Sequence, residues 1–411
     1  MDETSRYAIG LDVGTENVRA VVLSVSKGGE LAVVGYNEGK SAGMRKGMVA
    51  NLAGPAGAID KMLGEVEHMC GRNVDSAYVS VNGSQIQSTR TEGMITVGVV
   101  DHEIDDNDLA RVEDVAVSGR IPANCQVLDV VPLEYAIDGQ RGIKDPVGMS
   151  GTRLEMRACV VSALTPNVEN LRKAAENADV AVQRVIPSVV AAAKAVLSEK
   201  QMENGVAVID LGAATTSVAV FEEGDLQYVG VVPAGSNNVT NDLAIVLAIE
   251  PELAEEIKSR FITGDFSSEK SAVIKIGKDK EERVFDRKEV EEVAKARLEE
   301  IFGEIRKKLK AAKYDQRLPE GVVLVGGGAK MRDIDVFAKN VLETSAKIGT
   351  PKGLGGVAND IEKPEYATAV GLALFSVEDG GRVVEPKKSF KKKKSKKENN
   401  GSFIKKIFSK F

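Results

Sequence analysis

The chain has 411 residues, 43% of them hydrophobic and 28% charged, a composition that suits about two to four packed lobes. Three cysteines (Cys70, Cys125, Cys159) and two histidines (His68, His102) are too few and too scattered for a disulfide framework, a zinc site or a histidine metal cluster. The net charge is −6, yet residues 387–411 hold eleven lysines and one glutamate (+10), which leaves −16 on residues 1–386 and argues against a general nucleic-acid binder. The acidic start is followed by no apolar run, and no stretch approaches the length of a membrane span. The expectation is a cytoplasmic protein of a reducing compartment.

In chain order, the first clear element is AIGLDVGTENVRAVVL (8–23), an apolar run, an Asp-x-Gly turn and a second β-rich run. It reads as strand, tight turn, strand. AVIDLGAATTSVAVF (207–221) repeats the pattern, with Asp210 matching Asp12 and Gly212 matching Gly14. Such a duplication predicts two related lobes facing each other. Residues 281–313 are dense in charge, with Val290, Val293, Leu298, Ile301, Ile305 and Leu309 at helical spacing, so an amphipathic helix is expected. VVLVGGG (322–328) predicts a buried strand and a glycine turn, with the N-terminus of a following helix aimed at a ligand. YATAVGLALF (366–375) predicts a small-residue helix built for close packing.

A lone Asp-x-Gly turn is ordinarily just a hairpin. Two matched hairpins, then a glycine turn, then a small-residue helix, form a far more specific set. Facing hairpins can grip a nucleotide's phosphates from both sides. Asp12 and Asp210 would hold Mg²⁺ through water, because that ion keeps several waters and binds few carboxylates. The glycine turn would lie under the adenosine.

The ordered set DVGT (12–15), DLGAATT (210–216), LVGGG (324–328) and YATAVGLAL (366–374) resembles the actin, Hsp70 and sugar-kinase ATPase fold, an α/β fold of duplicated ribonuclease-H-type lobes. Within it, DGQRGIKDPVGMSGTRL (138–154) resembles a hallmark of the FtsA family of bacterial cell-division proteins. Further similar runs are PSVVAAA (187–193), NGVAV (204–208), the stretch from Gly235 through TNDLA (240–244), and AEEIK (254–258).

The resemblance implies a first lobe core at 1–83 and 165–195, with an inserted self-association subdomain at 84–164. It implies a second lobe core at 196–240 and 321–379, and an outer subdomain at 241–320 that binds the C-terminal peptide of FtsZ. Gly14, Thr15, Asn17, Gly212, Ala213, Ala214, Thr215 and Thr216 are the implied phosphate contacts. Glu255, Lys258, Gly326, Gly327 and Gly328 are the implied adenosine contacts, and Arg297 and Glu300 the implied FtsZ contacts. Partners implied are FtsZ, further copies of the chain and later division proteins, with no nucleic acid.

The phosphate loops depart from the family pattern. Asn17 stands where relatives carry a lysine, Ala213 and Ala214 replace glycines, and Ser217 replaces an aspartate. Asparagine offers only neutral hydrogen bonds, and alanine disfavours positive φ. ATP or ADP binding with weak or absent hydrolysis is therefore expected, and no catalytic residue is identified.

Residues 380–402 are lysine-rich and poor in core-forming side chains, so they predict a disordered linker. On a helix, Phe403, Ile404, Ile407, Phe408 and Phe411 share one face, with Lys405, Lys406 and Lys410 towards the other. A basic amphipathic end reads as an anchor on anionic membrane lipid. Each lysine near such a surface adds about 1 kcal/mol, so one copy binds modestly and assembly would supply avidity. The reading is an actin-like, nucleotide-binding filament former that tethers FtsZ at the cytoplasmic face of the membrane. Two alternatives stand beside it. One is a PilM-like adaptor of pilus assembly, and the other is an active ATPase or kinase of the same fold.

Overall fold

Two sheets that follow one path organise the chain. The computed structural model describes residues 6–98, 103–267, 271–277 and 283–380. In the first lobe, β1 (Arg6–Val13), β2 (Asn17–Val25) and β3 (Leu31–Lys40) run as an antiparallel meander. A small hairpin of β4 (Met44–Arg45) and β5 (Met48–Val49) precedes helix α1 (Ala53–Cys70). β6 (Ser76–Val81) then returns parallel to β1.

The chain next leaves this sheet for an inserted unit. Strands β7 (Gln87–Thr96), β8 (Cys125–Ile137), β9 (Gln140–Ile143) and β10 (Arg153–Leu164) form a sheet in the order β7-β10-β8-β9. Helix α2 (Asp106–Val117) packs Val112 and Ala116 against Leu154, Met156 and Ala158 of that sheet. Its N-terminus is closed by Asp105, whose carboxylate accepts from the backbone N–H groups of Asn107 and Asp108. Helix α3 (Thr165–Glu176), β11 (Ala181–Pro187) and α4 (Ser188–Val196) then complete the first lobe's chain, β11 lying parallel to β6.

After α5 (Glu199–Asn204), the second lobe repeats the path. β12 (Val206–Leu211), β13 (Thr216–Glu222) and β14 (Asp225–Val232) form the meander. An outer unit follows, made of α6 (Ser236–Val246), α7 (Pro251–Phe261), the hairpin β15 (Val273–Ile276) and β16 (Arg283–Asp286), and α8 (Arg287–Ala311). β17 (Val322–Val325), α9 (Ile334–Leu342) and β18 (Ala346–Ile348) close the sheet, with both strands parallel to their inner neighbours. The orders β3-β2-β1-β6-β11 and β14-β13-β12-β17-β18 are therefore the same, with identical strand directions. The duplication visible in the two Asp-x-Gly turns extends to whole lobes.

The charged segment forms α8 as its spacing predicts. Val290, Leu298, Ile301, Ile305 and Leu309 are buried, and Val293 packs at the margin. Phe302, absent from the expected stripe, is fully buried and stacks edge-on with Phe337 at 5.7 Å.

The last stretch departs from the expected partition. β19 (Gly355–Gly356) pairs with β3 of the first lobe, and α10 (Ala367–Glu378) lies on that lobe's sheet beside Ala8, Val21 and Leu23. Conversely, α4 packs Val189 and its neighbours on Val206, Val208 and Ala219 of the second lobe. Each lobe's final helix thus covers the other lobe's sheet, and the two helices meet. A Cβ on Gly371 would lie 1.7 Å from the Ala191 carbonyl oxygen, and one on Gly10 would lie 2.0 Å from that of Ala369. Small residues there are what allow the contact. The described chain ends at Gly380, whose carbonyl accepts from Arg6 at 2.9 Å. Among the described residues no helix is long and apolar enough to cross a membrane.

Candidate functional site

The site is built by the two hairpins. Gly14 N–H donates to the Asn17 carbonyl at 3.1 Å, and Gly212 N–H donates to the Thr215 carbonyl at 3.0 Å. The turns are thus closed alike, and each leaves its aspartate at the end of a central strand. The cross-strand partners differ: Asp12 stands opposite Arg19, Asp210 opposite Ser217.

Asp12 accepts from the Ser80 hydroxyl at 2.7 Å, and Ser80 in turn accepts from Val13 N–H at 3.0 Å. Burial pushes the Asp12 carboxyl up, opposed by the Arg19 charge and the Ser80 hydrogen bond. Asp210 is pushed up to about 6, first by burial and then by the negative charge of Asp12; the Ser188 hydroxyl and Arg19 oppose this. Two buried carboxylates, one of them raised by the charge of the other, suit a divalent cation. Among the described residues no cluster of three or more acidic, histidine or cysteine side chains could hold a metal. Two aspartates alone fit Mg²⁺ held through its waters.

The glycine turn presses directly on this pair. Gly326 has φ +85°, and a Cβ there would sit 2.3 Å from Asp210 Oδ1. Its N–H donates to the Pro364 carbonyl at 2.9 Å. The helix expected to follow the turn does not start there. Gly327–Lys330 form a 3₁₀ turn, and α9 begins only at Ile334, after Asp333 in the left-handed region. The turn therefore offers backbone and open space, not a helix N-terminus.

Glu255 is exposed at its outer end, and its partner Lys258 is not. Lys258 is buried, donates to the Ser236 carbonyl at 3.3 Å and Thr240 Oγ1 at 2.9 Å, and lies 2.7 Å from Glu255. Thr240 donates to Glu255 at 2.6 Å. Ser236 N–H and Asn237 N–H donate to the Gly212 and Ala213 carbonyls, both at 2.8 Å, so the second phosphate loop rests on the start of α6. Thr215 and Thr216 are buried behind it.

Ala213 and Ala214 are absent from the residues of positive φ, so the backbone penalty expected of alanine does not arise. Thr15 Oγ1 accepts from Gly47 N–H at 2.9 Å. The Asn17 amide, oriented to satisfy both neighbours, meets the Glu16 carbonyl at 3.0 Å and Arg19 at 3.2 Å. Arg19 itself is held by Glu38 at 2.5 Å and lies over the Tyr366 ring. At the cleft, Asn237 donates to Glu16 at 2.9 Å and Ser217 donates to Asn82 Oδ1 at 3.1 Å, both from one lobe to the other. Ser217 thus serves as a lobe-to-lobe tie. Hydrogen bonding to Lys40, and then to Asn237, holds the Glu16 carboxyl below its usual range.

Ser80, Ser188, Thr240 and Arg19 escaped sequence reasoning. Three are lone hydroxyls, and only the register Asp12 opposite Arg19, seven residues apart in a hairpin, signalled the fourth. Arg297 and Glu300 lie on α8, away from the cleft. Arg297 forms a bidentate pair with Asp242 of α6 (2.6 and 3.1 Å) and a third bond to Glu300 at 2.6 Å. Phe403, Ile404, Lys405, Lys406, Ile407, Phe408, Lys410 and Phe411 lie outside the described residues.

Two lobes of one topology, joined by exchanged helices around an acidic cleft, define an actin-like protein. Two solved structures share that fold. The PilM–PilN type IV pilus biogenesis complex matches with TM-score 0.66 and 18% identity, over 90% of this chain and 98% of that one. MreB5 of Spiroplasma citri bound to ADP matches with TM-score 0.52 and 15% identity, over 92% and 100%.

The sequence is more specific. The family model "Cell division protein FtsA" matches residues 207–371, and "SHS2 domain inserted in FTSA" matches 83–162. The cell division protein FtsA of Pseudomonas aeruginosa is 32% identical over 382 residues, 92% of this chain and 90% of that protein. The Escherichia coli protein of the same name is 30% identical over 383 residues, 91% of each. The chain belongs to the FtsA family of cell-division proteins. The pilus complex, at 18% identity, shares its fold alone.

Proposed function

We propose that this chain is a nucleotide-binding adaptor that assembles at the cytoplasmic face of the membrane and tethers FtsZ filaments there during division. The phosphates of ATP or ADP lie between Gly14, Thr15 and Asn17 on one side and the 212–216 loop on the other. Asp12 and Asp210 hold Mg²⁺ through water, and that ion supplies charge neutralisation for the phosphates. Lys258 and Glu255 meet the ribose and base, with Gly326, Gly327 and Gly328 beneath. The groups that touch the two carboxylates are the hydroxyls of Ser80 and Ser188, which are poor bases for activating water. ATP accordingly acts as a structural or switching ligand, with turnover below about 1 s⁻¹, the foot of the ordinary enzyme range.

Arg297 and Glu300 receive the FtsZ peptide on the outer unit, and residues 403–411 hold the membrane surface. The observation that carries this reading is a single juxtaposition. A body of the FtsA family, with both Asp-x-Gly hairpins in place, is followed by a lysine-rich stretch ending in FIKKIFSKF. The test is recruitment of an FtsZ C-terminal peptide to anionic vesicles by the full chain and by a chain lacking 401–411. Recruitment by the full chain alone is the expected result. Vesicle binding without peptide capture would remove FtsZ from the account, and peptide capture on vesicles by the truncated chain would remove the anchor.

A further inference from the structure

We propose that Arg19 is the cation that binds the nucleotide's phosphates in this cleft, filling the place that Asn17 leaves uncharged. The inference rests on the nucleotide reading above and adds to it the side chain that supplies positive charge.

The first phosphate loop enters β2 through Asn17, a neutral side chain. Phosphates held there would face the buried carboxyls of Asp12 and Asp210. The nearby lysines are committed elsewhere. Lys258 bonds to Ser236 and Thr240, on the side assigned to the ribose and base. Lys40 is exposed and pairs with Glu16 at 2.9 Å.

Arg19 stands two residues beyond Asn17 on β2. The two side chains leave the same face of the strand, about 6–7 Å apart at the backbone. The length of arginine closes that gap. Its Nη2 lies 3.2 Å from the Asn17 amide oxygen, so the guanidinium sits beside the implied phosphate contact. The cross-strand register places it opposite Asp12. Its charge lowers both Asp12 and Asp210 against the effect of burial, so it acts on both carboxyls that face the cleft.

The guanidinium is also held. Glu38 accepts from Nε at 2.5 Å, and the Tyr366 ring centre lies 5.8 Å away. Glu38 and Asn17 use two of the five N–H bonds of the fork. The other N–H bonds on the two Nη atoms can take phosphate oxygens, which a planar guanidinium meets in pairs. Asparagine at 17 fits this arrangement, because its amide oxygen accepts from Arg19 where a lysine would set a second cation against it.

The test is calorimetry of Mg²⁺–ATP and Mg²⁺–ADP binding by the full chain. The variants are Arg19→Gln, Asn17→Lys and the double variant. Arg19→Gln is expected to weaken binding by about 10–100-fold, the loss of charge-assisted hydrogen bonds. The double variant is expected to return to within about fivefold of the natural chain, because it puts a cation back at position 17. Asn17→Lys alone is expected to change affinity by less than about threefold, since the place is already charged. Thermal unfolding of the free proteins scores the Glu38 pair separately. Affinity is expected to recover in the double variant without recovery of the melting temperature, which a merely structural Arg19 would not allow.

Arg19→Gln binding as the natural chain does, or a double variant as weak as Arg19→Gln, would overturn the assignment and leave the nucleotide reading standing. Tightening of tenfold or more by Asn17→Lys alone would overturn it too, and that variant keeps the Glu38 pair intact. A natural chain that binds neither nucleotide would overturn the nucleotide reading itself, and this proposal with it.

Discussion

The two lobes run the same five-strand path, yet their central hairpins are filled differently. In the first, Asp12 faces Arg19, which is itself held by Glu38, so the carboxylate sits in a row of compensating charge. In the second, Asp210 faces a serine, is packed against Gly326, and has the Ser188 hydroxyl and the same Arg19 for compensation. The outer additions also differ. The first lobe is interrupted between β6 and α3 by a unit with an open charged sheet, and the second between β14 and β17 by a helical unit. A duplicated scaffold has thus kept its strand order and given the two halves unequal electrostatics. Burial raises both carboxyls in the free protein, so both gain from a cation.

The largest predicted effect breaks what the two lobes share. Gly371→Val should cost about 3 kcal/mol or more, or prevent folding, because the new side chain meets the Ala191 backbone, which cannot move aside. Chemical denaturation measures it, and a tolerated valine would mean that the exchanged helices are not the junction.

The next prediction concerns the two aspartates. Asp210→Asn should stabilise the free protein by about 1–3 kcal/mol at neutral pH, because ionising this group in the fold is costly, and should abolish Mg²⁺-dependent nucleotide binding. Asp12→Asn should also stabilise, since burial raises that carboxyl as well. The sign follows from a folded pKa above the unfolded one. The fold then binds the proton more tightly, so this contribution to stability is present below the unfolded value near 3.8 and is lost as pH rises through about 6. Thermal melts of the three proteins between pH 4 and 8 check it, and a loss of stability at neutral pH in either variant would contradict it.

Lys258→Met should weaken nucleotide binding by about 10–100-fold, the loss of one hydrogen bond to a charged group, read by calorimetry. An unchanged affinity would remove α7 from the site. Smallest of all, Arg297→Ala should cost up to about 1 kcal/mol of stability, since its bonds to Asp242 and Glu300 are partly exposed. The same variant should lower FtsZ-peptide affinity; unaltered peptide binding would move that contact elsewhere on the outer unit.

What could be read from sequence follows from how local each feature is. The hairpins around Asp12 and Asp210 join neighbouring strands, so alternation and the Asp-x-Gly turn displayed them directly. The α8 stripe was legible for the same reason. The exchange of α4 and α10 was not, because Ala191 and Gly371 are 180 residues apart and both helices look merely small and apolar. Ser80 and Ser188 were invisible because a hydroxyl gains its role only from the carboxylate it touches. The alanines of the second phosphate loop misled, because sequence gives their identity and not their φ.

The most direct test of the central claim is the pH dependence of Mg²⁺–ATP binding by the natural chain, measured by calorimetry beside Asp210→Asn. The account predicts that binding by the natural chain falls by up to about tenfold per pH unit below about 6, as Asp210 takes up its proton, while the variant binds weakly throughout and lacks that step. Equal affinities and parallel pH profiles for the two proteins would contradict it, and the cleft between the lobes would no longer be a cation-assisted nucleotide site.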